Sequence, residues 1–371
     1  MTAINHHDKP FTEETLIKLD IFQAYAKVWI PTFAMQGSVS EIFIFDLFAG
    51  TGYDKAHVPG SPIRILSTIK EFLGTLYNQN TQITLYLNEF NPAKYKLLKE
   101  ACDNFVIENR LGGVLTIRYF NKDFALLFPE LLPLMGTKPS LIYLDQNGIK
   151  FLSNNILLAL EKLNQTDFIY FVASSYFYRF GTQEEFKKHV DVDMTRLLEK
   201  GYPFVHKQLV MLLKEKLPLN SRLEMYPFSI KKGTNIYGII FGAKHPRAFD
   251  KFLALAWKQN KVNGEASYDI NKEDGGFCGN LFDDPELTKI GAFQNRFKGL
   301  VLNGEISTNA LALRYVYENG HIPSHAAEVM RELKRKGVIT YEGRSPLITY
   351  DNVYKKPNII TYKLTNENNK D

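Results

Sequence analysis

The sequence predicts an α/β protein: a doubly wound, Rossmann-like sheet that ends in an antiparallel β-hairpin, followed by a small C-terminal domain. Three observations predict this fold. Apolar strand-like segments alternate with helical segments in the first half of the chain, and two strand-like segments then follow each other across a short turn. The C-terminal part has the order helix, turn, helix, strand, loop, strand. Strands separated by helices at this spacing imply parallel β-α-β units.

Composition places the chain among folded proteins without disulfides. It has 371 residues, 45% of them hydrophobic, which suits one large domain and a smaller one. The formal net charge of +5 permits a polyanionic partner but does not demand one. The two cysteines, Cys102 and Cys278, form no disulfide framework. A polar N-terminus and the lack of long apolar runs predict a cytoplasmic protein without membrane contact.

The first half of the chain predicts an N-terminal helix and then five strands separated by helices. Residues 13–35 carry apolar side chains near helical spacing. The predicted strands are Ile42–Asp46, Thr84–Asn88, Leu115–Tyr119, Leu141–Asp145 and Phe168–Ala173. The predicted helices between them are Ser61–Thr75, Pro92–Cys102 and Asn155–Leu163.

The rhythm of the chain changes after the fifth strand. Residues 174–220 are mainly helical and charged, and two predicted strands, Leu223–Ile230 and Asn235–Ala243, then follow. The segment 231–234 between them contains Gly233 and has the composition of a hairpin turn. Class I methyltransferases close their parallel sheet with such a hairpin, whereas dehydrogenase-type sheets normally finish parallel. The hairpin therefore favours the methyltransferase type.

The C-terminal segment predicts a winged helix. A helix over Ala310–Glu318 leads into a turn, and Ser324 is expected to cap a second helix, Ala326–Lys336. Two strands, Val338–Tyr341 and Ile359–Leu364, flank the loop 342–358. This order of elements is typical of winged-helix domains.

These patterns divide the chain into three parts. Residues 1–258 are the predicted methyltransferase-like domain with its N-terminal helix, and 297–371 are the predicted winged-helix domain. Residues 259–296 lie between them and are predicted to be a linker or irregular segment, because 259–292 show little periodicity.

A turn with two glycines follows the first strand and predicts a ligand site. The strand ends at Asp46, and Phe48 and Ala49 lead into Gly50 and Gly52. Glycine lets a ligand approach the main chain, and open α/β sheets build cofactor crevices at such strand ends.

The glycine spacing narrows the choice of cofactor. A dinucleotide fingerprint needs a third glycine, where this chain has Lys55, and no Walker-type phosphate loop is present. The spacing of Asp46, Gly50 and Gly52 fits S-adenosylmethionine instead. Such a loop lies against the methionine portion, and the acid orders the loop or meets the ammonium group. The alternative is a tight turn without a ligand.

Acids at two further strand ends extend the predicted cofactor site. Glu89 follows the second strand, where it could accept hydrogen bonds from both ribose hydroxyls. Asp123 follows the third strand and could bind the adenine amino group, or it could cap the helix that comes next.

Asp145 ends the fourth strand, where methyl-transferring enzymes usually hold their reactive group. It is the predicted catalytic residue, as a general base or by orienting a substrate amine, and a structural role is an equal alternative. The segment has no Asn/Asp-Pro-Pro-aromatic motif of amino-methyltransferases acting on bases. The chain also lacks the proline–cysteine pair of cytosine C5 enzymes.

Basic residues predict contact with a nucleic acid. Arg179 lies in an aromatic cluster, residues 176–180, which suits stacking and phosphate binding, although core packing of the rings is the alternative. On the second helix of the predicted winged helix and its wing lie Arg331, Lys334, Arg335, Lys336 and Arg344. DNA or RNA is therefore a candidate partner. Glu328 and Glu332 on the same helix allow an ordinary solvated face instead. The histidines do not cluster, so we predict no metal site.

Several of these motifs together resemble the three-Cys-motif partner protein family, which are predicted S-adenosylmethionine-dependent methyltransferases. The resemblance spans most of the chain and is most specific in two strings, Phe48–Gly50 and Gly60–Pro62. Further matching segments are the helix with Lys18, Tyr25 and Trp29, Asn88–Glu89, Asp123–Phe124, 174–180, Tyr237–Phe241 and the C-terminal winged helix. The resemblance implies a partner protein with a three-cysteine motif.

The chain departs from this family after the fourth strand. The family usually has Asp-Pro-aromatic-Gly there, and this chain has Asp145, Gln146, Asn147 and Gly148. Proline would restrict the backbone and an aromatic ring would stack on a base. The glycine loop, Glu89 and the closing hairpin lead us to expect a methyltransferase acting on nucleic acid or a nucleotide-like substrate, whereas the altered residues 146–147 are the chief support for the alternative. The alternative is a non-catalytic module that binds nucleic acid or protein and keeps the methyltransferase fold. The oligomeric state stays open.

Overall fold

The chain forms two compact units, Met1–Ala248 and Phe249–Asp371, in a computed structural model. The structure describes residues 10–146, 154–173, 192–233, 235–270 and 288–365. Within the described ranges, no helix is both long and apolar enough to cross a membrane.

The first unit is built on a seven-stranded sheet in the order β3-β2-β1-β4-β5-β7-β6. Strands β1 to β5 pair in parallel, whereas β7 pairs antiparallel with both β5 and β6. The predicted hairpin that closes the sheet is thereby confirmed. The strands are β1 (Glu41–Asp46), β2 (Gln82–Asn88), β3 (Leu115–Phe120), β4 (Ser140–Leu144), β5 (Thr166–Val172), β6 (Glu224–Lys232) and β7 (Asn235–Ala243).

Nine described α-helices precede, connect or follow these strands, and the last of them continues into the second unit. They are α1 (Glu13–Ala34), α2 (Ser61–Glu71), α3 (Leu73–Asn78), α4 (Pro92–Glu108), α5 (Phe124–Leu131), α6 (Asn154–Lys162), α7 (Met194–Leu198), α8 (Val205–Lys214) and α9 (Pro246–Gln259). The sequence explains the start of α4, because the Asn91 side chain accepts from the backbone N–H groups of Ala93 and Lys94, and Pro92 has the preset φ of a first helical residue.

Two helices of the first unit differ from the predicted bounds. The predicted helix Ser61–Thr75 is two helices, α2 and α3, because Phe72 leaves the helical conformation with φ −101° and ψ 9°. The helix predicted to end at Cys102 continues to Glu108, since no glycine or proline interrupts it.

The central strands β1 and β4 carry buried side chains on both faces of the sheet. All five residues of β4 are buried, and so are five of the six in β1. This explains why the strands have nearly continuous apolar sequences, as expected for a sheet covered by helices on both sides. The rings of Phe45 and Tyr86 stack at 4.5 Å between centroids on one of these faces. The carboxyl ends of the strands are therefore held rigidly where the loops begin.

Besides most of α9, the described part of the second unit contains three α-helices and a two-stranded antiparallel sheet. These are α10 (Lys289–Leu302), α11 (Asn309–Glu318), α12 (Pro323–Arg335), β8 (Ile339–Thr340) and β9 (Lys363–Leu364). Gly337 ends the last helix with a φ of +72°, as its sequence position predicts. Helix α10 occupies part of the segment 259–296 that was expected to be irregular. The division into 1–258, 259–296 and 297–371 stays a prediction.

The expected cap at Ser324 is wrong. Helix α12 begins at Pro323, so Ser324 lies inside its first turn, and the N-cap residue Ile322 makes no side-chain cap hydrogen bond. Proline is favoured at the first helical position because its missing N–H is not needed there. That preference outweighs the capping ability of the serine that follows.

Candidate functional site

The loop after β1 needs its glycines. Gly50 and Gly52 have φ values of +68° and +87°, a region that disfavours residues with a side chain. A Cβ on Gly52 would also lie 3.0 Å from the Cβ of Ala101. The Gly52 carbonyl accepts from the Gly60 N–H at 2.7 Å, which closes the loop onto the start of α2. The loop is thus a fixed turn that brings its backbone close to neighbouring groups.

Glu89 joins this loop to the end of β2. Its Oε2 accepts from the Gly50 N–H at 3.1 Å, and its Oε1 accepts from the Asn91 N–H at 2.8 Å. The Ala49 N–H donates to the Asn88 carbonyl at 2.9 Å. The structure therefore brings Asp46, the glycine turn and Glu89 together, as the order of strands β1 and β2 requires.

Asp46 is fully buried at the end of β1. Its Oδ1 accepts from the Phe48 N–H at 3.3 Å, and its Oδ2 has no hydrogen-bond partner in the part of the chain that the structure describes. Burial raises the pKa of Asp46 to about 7, and the charges of Asp145 and Glu89 add to the rise. The Ser61 hydroxyl and the Phe48 N–H oppose it. A buried carboxyl group lowers the stability of the fold when it is charged and one of its oxygens has no hydrogen-bond partner. Such a group is typical of a binding site.

Asp123 caps helix α5. Its Oδ1 accepts from the Ala125 N–H at 2.8 Å, so the capping alternative is present in the structure. The next residue, Phe124, stacks on Phe48 at 4.9 Å between ring centroids. This contact places the end of β3 beside the glycine loop. The role of Asp123 in binding adenine stays a prediction.

Asp145 follows β4 and forms an ion pair with Lys18 of α1. The two side chains are only 18% and 10% exposed, and the Tyr143 hydroxyl lies 3.5 Å from the same carboxylate oxygen. The Lys18 ammonium also lies 4.3 Å from the centroid of the Phe171 ring. Lys18 had no chemical role assigned from the sequence and was named only as part of the family resemblance. A buried pair of this kind fixes the position of both groups.

The residue after Asp145 is part of the core. Gln146 is 1% exposed, and its Nε2 donates to the Tyr170 hydroxyl at 2.9 Å. A glutamine therefore stands, hydrogen-bonded, where the similar family usually has proline. Asn147, Arg179 and the rest of the aromatic cluster 176–180 lie outside the described residues.

The basic residues of the second unit fall into two groups. Lys334 donates to the carbonyls of Tyr341 and Gly343 at 2.8 and 2.6 Å and lies 4.0 Å from the centroid of the Tyr341 ring. Its ammonium thus holds the segment after β8. Lys336 pairs with Glu332 one turn earlier on α12.

The other three predicted nucleic-acid contacts are exposed. Within the described ranges no ion pair engages these side chains, which are Arg331, Arg335 and Arg344. No group of three or more metal-ligating His, Cys, Asp or Glu side chains occurs among the described residues.

Comparison with known proteins gives structural matches only. No protein-family model matches the chain, and neither does any curated protein. One similar solved structure is Trm1 from Pyrococcus horikoshii in complex with S-adenosyl-L-methionine, with a TM-score of 0.39 and 14% identity over 66% of this chain and 59% of that chain. Another is the methyltransferase domain of bacterial CtHen1-C, with a TM-score of 0.28 and 11% identity over 60% of this chain and 100% of that chain. Both TM-scores are low, so we interpret the site from its own geometry.

Proposed function

We propose that the first unit binds S-adenosylmethionine and transfers its methyl group to a nucleic acid or a nucleotide-like substrate. The observation that carries this proposal is the convergence of Asp46, the Gly50–Gly52 turn and Glu89 at the carboxyl ends of β1 and β2, joined by the hydrogen bond from Gly50 to Glu89. In open α/β sheets, ligands bind outside the carboxyl ends of the strands, where the strand order reverses. Here that point lies between β1 and β4, at Asp46 and Asp145.

The residues at this point fit the cofactor. The unpartnered Oδ2 of buried Asp46 can accept a hydrogen bond from the methionine ammonium group. Glu89 can exchange its bond with Gly50 for the ribose hydroxyls, and the backbone of Gly50 is open to close approach. When bound, the cofactor supplies an electrophilic methyl group on its sulfonium. The task of the protein is then mainly to align the acceptor with that methyl group.

Asp145 is proposed as the group that meets the acceptor. Its ion pair with Lys18 keeps the carboxylate in one position at the end of β4. A carboxylate held in this way can accept a hydrogen bond from an acceptor amine or hydroxyl and orient its lone pair. Lys18 acts through Asp145 in this scheme and is a positioning residue.

Two further parts of the proposal concern partners. The order of α11, α12, β8 and β9 supports a winged-helix domain, and the exposed Arg331, Arg335 and Arg344 support its contact with DNA or RNA. The resemblance to the three-Cys-motif partner family supports a protein partner with a three-cysteine motif. A cytoplasmic location is part of the same proposal.

We expect isothermal titration to show S-adenosylmethionine binding to the wild type and about tenfold weaker binding to Glu89→Gln, a loss of about 1.4 kcal/mol. Glutamine keeps an acceptor for the Gly50 N–H but loses the charge that favours two hydroxyl donors. Glu71→Gln is the matched control, since this exposed acid pairs with Lys27 and its variant should bind as the wild type does. A wild type that gives no heat of binding would contradict the cofactor assignment.

We expect Arg331→Glu combined with Arg335→Glu to weaken binding of a short fluorescein-labelled DNA duplex at least tenfold. The affinity should also depend less on salt, because each lost phosphate contact lowers the slope of log affinity against log salt concentration by roughly one. Fluorescence anisotropy at several salt concentrations measures both. Lys334→Met is the contrasting variant: it should mainly lower the melting temperature, since Lys334 holds two carbonyls. Equal affinity of the double variant and the wild type would refute contact through this helix.

A non-catalytic binding module is the second candidate function. One observation that favours it is Gln146, which stands where the similar family usually has proline and donates a hydrogen bond to the Tyr170 hydroxyl. Another is Lys18, which already forms an ion pair with the carboxylate of Asp145. Incubation with methyl-labelled cofactor and pooled DNA, RNA or cell lysate separates the two. Cofactor binding without any labelled macromolecule favours the module, whereas label on one class of polymer identifies the substrate.

A further inference from the structure

A concave site borders the Gly50–Gly52 turn and includes Thr51 of that turn in its lining. It is a cavity of about 710 Å³ between the loop 51–57 and helix α4, and its lining includes neither Asp46, Glu89, Asp123 nor Asp145. This volume is within the range of roughly 300–1,000 Å³ that is usual for small-molecule sites. The cavity is therefore large enough for a ligand of its own.

The loop wall of the cavity has a fixed shape. Asp54 Oδ1 accepts from the N–H groups of Ala56 and Val58, both at 2.8 Å. His57 has a φ of +60°, a strained conformation for a residue with a side chain. The turn presents Lys55 and His57, which are exposed, and packs the rings of Tyr53 and His57 edge to face at 5.1 Å. This wall thus offers the Lys55 ammonium, the His57 imidazole and the Tyr53 ring in a preformed arrangement.

The charge of the helix wall changes along its length. Lys94 lies in the first turn of α4, where the helix dipole also favours anions, while Glu100, Asn104 and Glu108 follow further along. At 1.5 Å per residue, Lys94 and Asn104 are about 15 Å apart along the axis. Leu97 and Phe105 provide apolar surface on the same wall. One end of the cavity therefore suits an anion and the other suits hydrogen-bond donors.

Four polar side chains in the lining of this cavity have no partner among the described residues. In the described part of the chain, the side chains of Lys55, Lys94, Glu100 and Asn104 make no hydrogen bond or ion pair. Opposite charges three or four residues apart on a helix can pair with each other. Here cations and acids line the same cavity without neutralising each other, which leaves both available to a ligand.

We propose that this cavity binds a nucleotide whose base carries an exocyclic amino group. Lys55 and Lys94 hold the phosphate through charge-assisted hydrogen bonds. The base lies against Phe105 and Tyr53, and its amino group donates to Glu100 or to the amide oxygen of Asn104. Uracil has no exocyclic amino group and presents a carbonyl oxygen that a carboxylate repels, so the site discriminates against uridine nucleotides.

The test is titration of the full chain with AMP, with UMP and with a single-stranded oligoadenylate, in the presence of saturating S-adenosylhomocysteine to fill the cofactor crevice. We expect AMP to bind at least tenfold more tightly than UMP. Lys55→Glu combined with Lys94→Glu should weaken AMP binding at least tenfold, and Glu100→Ala combined with Asn104→Ala should remove the preference over UMP. These side chains lie at the surface or are half-buried, and melting temperatures check that the variants fold.

Three outcomes would overturn the proposal: none of the probes binds, AMP binding is unchanged in the lysine double variant, or it is lost in Glu89→Gln instead. The last result would place AMP in the cofactor crevice. The ratio of oligoadenylate to AMP affinity identifies the source of the nucleotide. Equal affinities indicate a free nucleotide, and an oligonucleotide bound at least tenfold more tightly indicates one within a strand.

Discussion

The Asp46→Asn variant is expected to be more stable than the wild type at about pH 8, by about 2 kcal/mol, and to bind S-adenosylmethionine more weakly. The reason is that Asp46 is fully buried with Oδ2 unpartnered, and burial raises its pKa from 3.8 to about 7. Above that pH the folded protein must hold a buried carboxylate, whereas asparagine carries no charge. The effect is measured by urea denaturation across the pH range.

The sign follows from proton linkage. The pKa of Asp46 is higher in the folded state than in the unfolded state, so its contribution to stability is fully present below pH 3.8 and is lost as the pH rises through about 7. Three pKa units correspond to about 4 kcal/mol, and the buried amide of asparagine retains part of the desolvation cost. The variant should therefore gain stability at about pH 8 and gain little or none at about pH 4.

Asp167→Asn is the matched control. Asp167 is also buried, and burial raises its pKa to about 7, but it accepts a hydrogen bond from Tyr25 at 2.7 Å near the amino end of β5. Its variant should show a similar pH dependence of stability with unchanged cofactor affinity. If both variants bind the cofactor equally well, Asp46 is a structural acid and the proposed contact with the ammonium group is wrong.

Local patterns were enough to predict the sheet and the glycine turn. The central strands β1 and β4 are nearly continuous apolar runs because both of their faces are covered, and such runs are visible without any knowledge of neighbours. Gly50 and Gly52 mark a turn whose φ angles only glycine adopts readily. Glu89 was predictable from strand order, since parallel neighbours bring their carboxyl ends to one edge of the sheet.

The features that could not be predicted from the sequence depend on contacts between residues far apart in the chain. Lys18 meets Asp145 because α1 packs beside the sheet, and nothing in either local segment indicates the pairing. The sequence predicted that Lys334 contacts a nucleic acid, but its ammonium donates hydrogen bonds to two carbonyls of the segment after β8. The predicted start of α12 was wrong because both Pro323 and Ser324 are favoured at a helix start. Their immediate neighbours do not show which of the two preferences is stronger.

Gly238→Ala is expected to destabilise the first unit by about 3 kcal/mol, although the change adds a single methyl group. A Cβ at Gly238 in β7 would lie 1.7 Å from Cδ2 and 1.8 Å from Nε2 of His206 in α8. His206 cannot retreat easily, because it is fully buried, with Nε2 at 3.3 Å from the Val172 carbonyl and Nδ1 at 3.4 Å from the Ser229 hydroxyl. Denaturant unfolding measures the loss.

Gly74→Ala is the control for the substitution itself. A Cβ at Gly74 in helix α3 meets nothing within 4 Å, so alanine there should stabilise the protein by about 0.5 to 1 kcal/mol through helix propensity. The change in stability is expected to be negative for Gly238→Ala and positive for Gly74→Ala. This difference separates a steric conflict from the effect of alanine on the backbone. A Gly238→Ala variant that is as stable as the wild type would show that the imidazole does not occupy the space above β7.

Removing the ring should rescue the glycine variant. His206→Ala leaves a cavity and destabilises the protein by itself, but in that background Gly238→Ala has no ring to meet, so the two changes should couple by about 2 kcal/mol in a double-mutant cycle. The pH dependence identifies the ring as the partner. Burial lowers the pKa of His206 from 6.5 to about 4, so the wild type loses stability as the pH falls through this range and His206→Ala does not. This slope is opposite in sign to that of Asp46, and the two acid–base groups are therefore distinguishable in one set of unfolding curves.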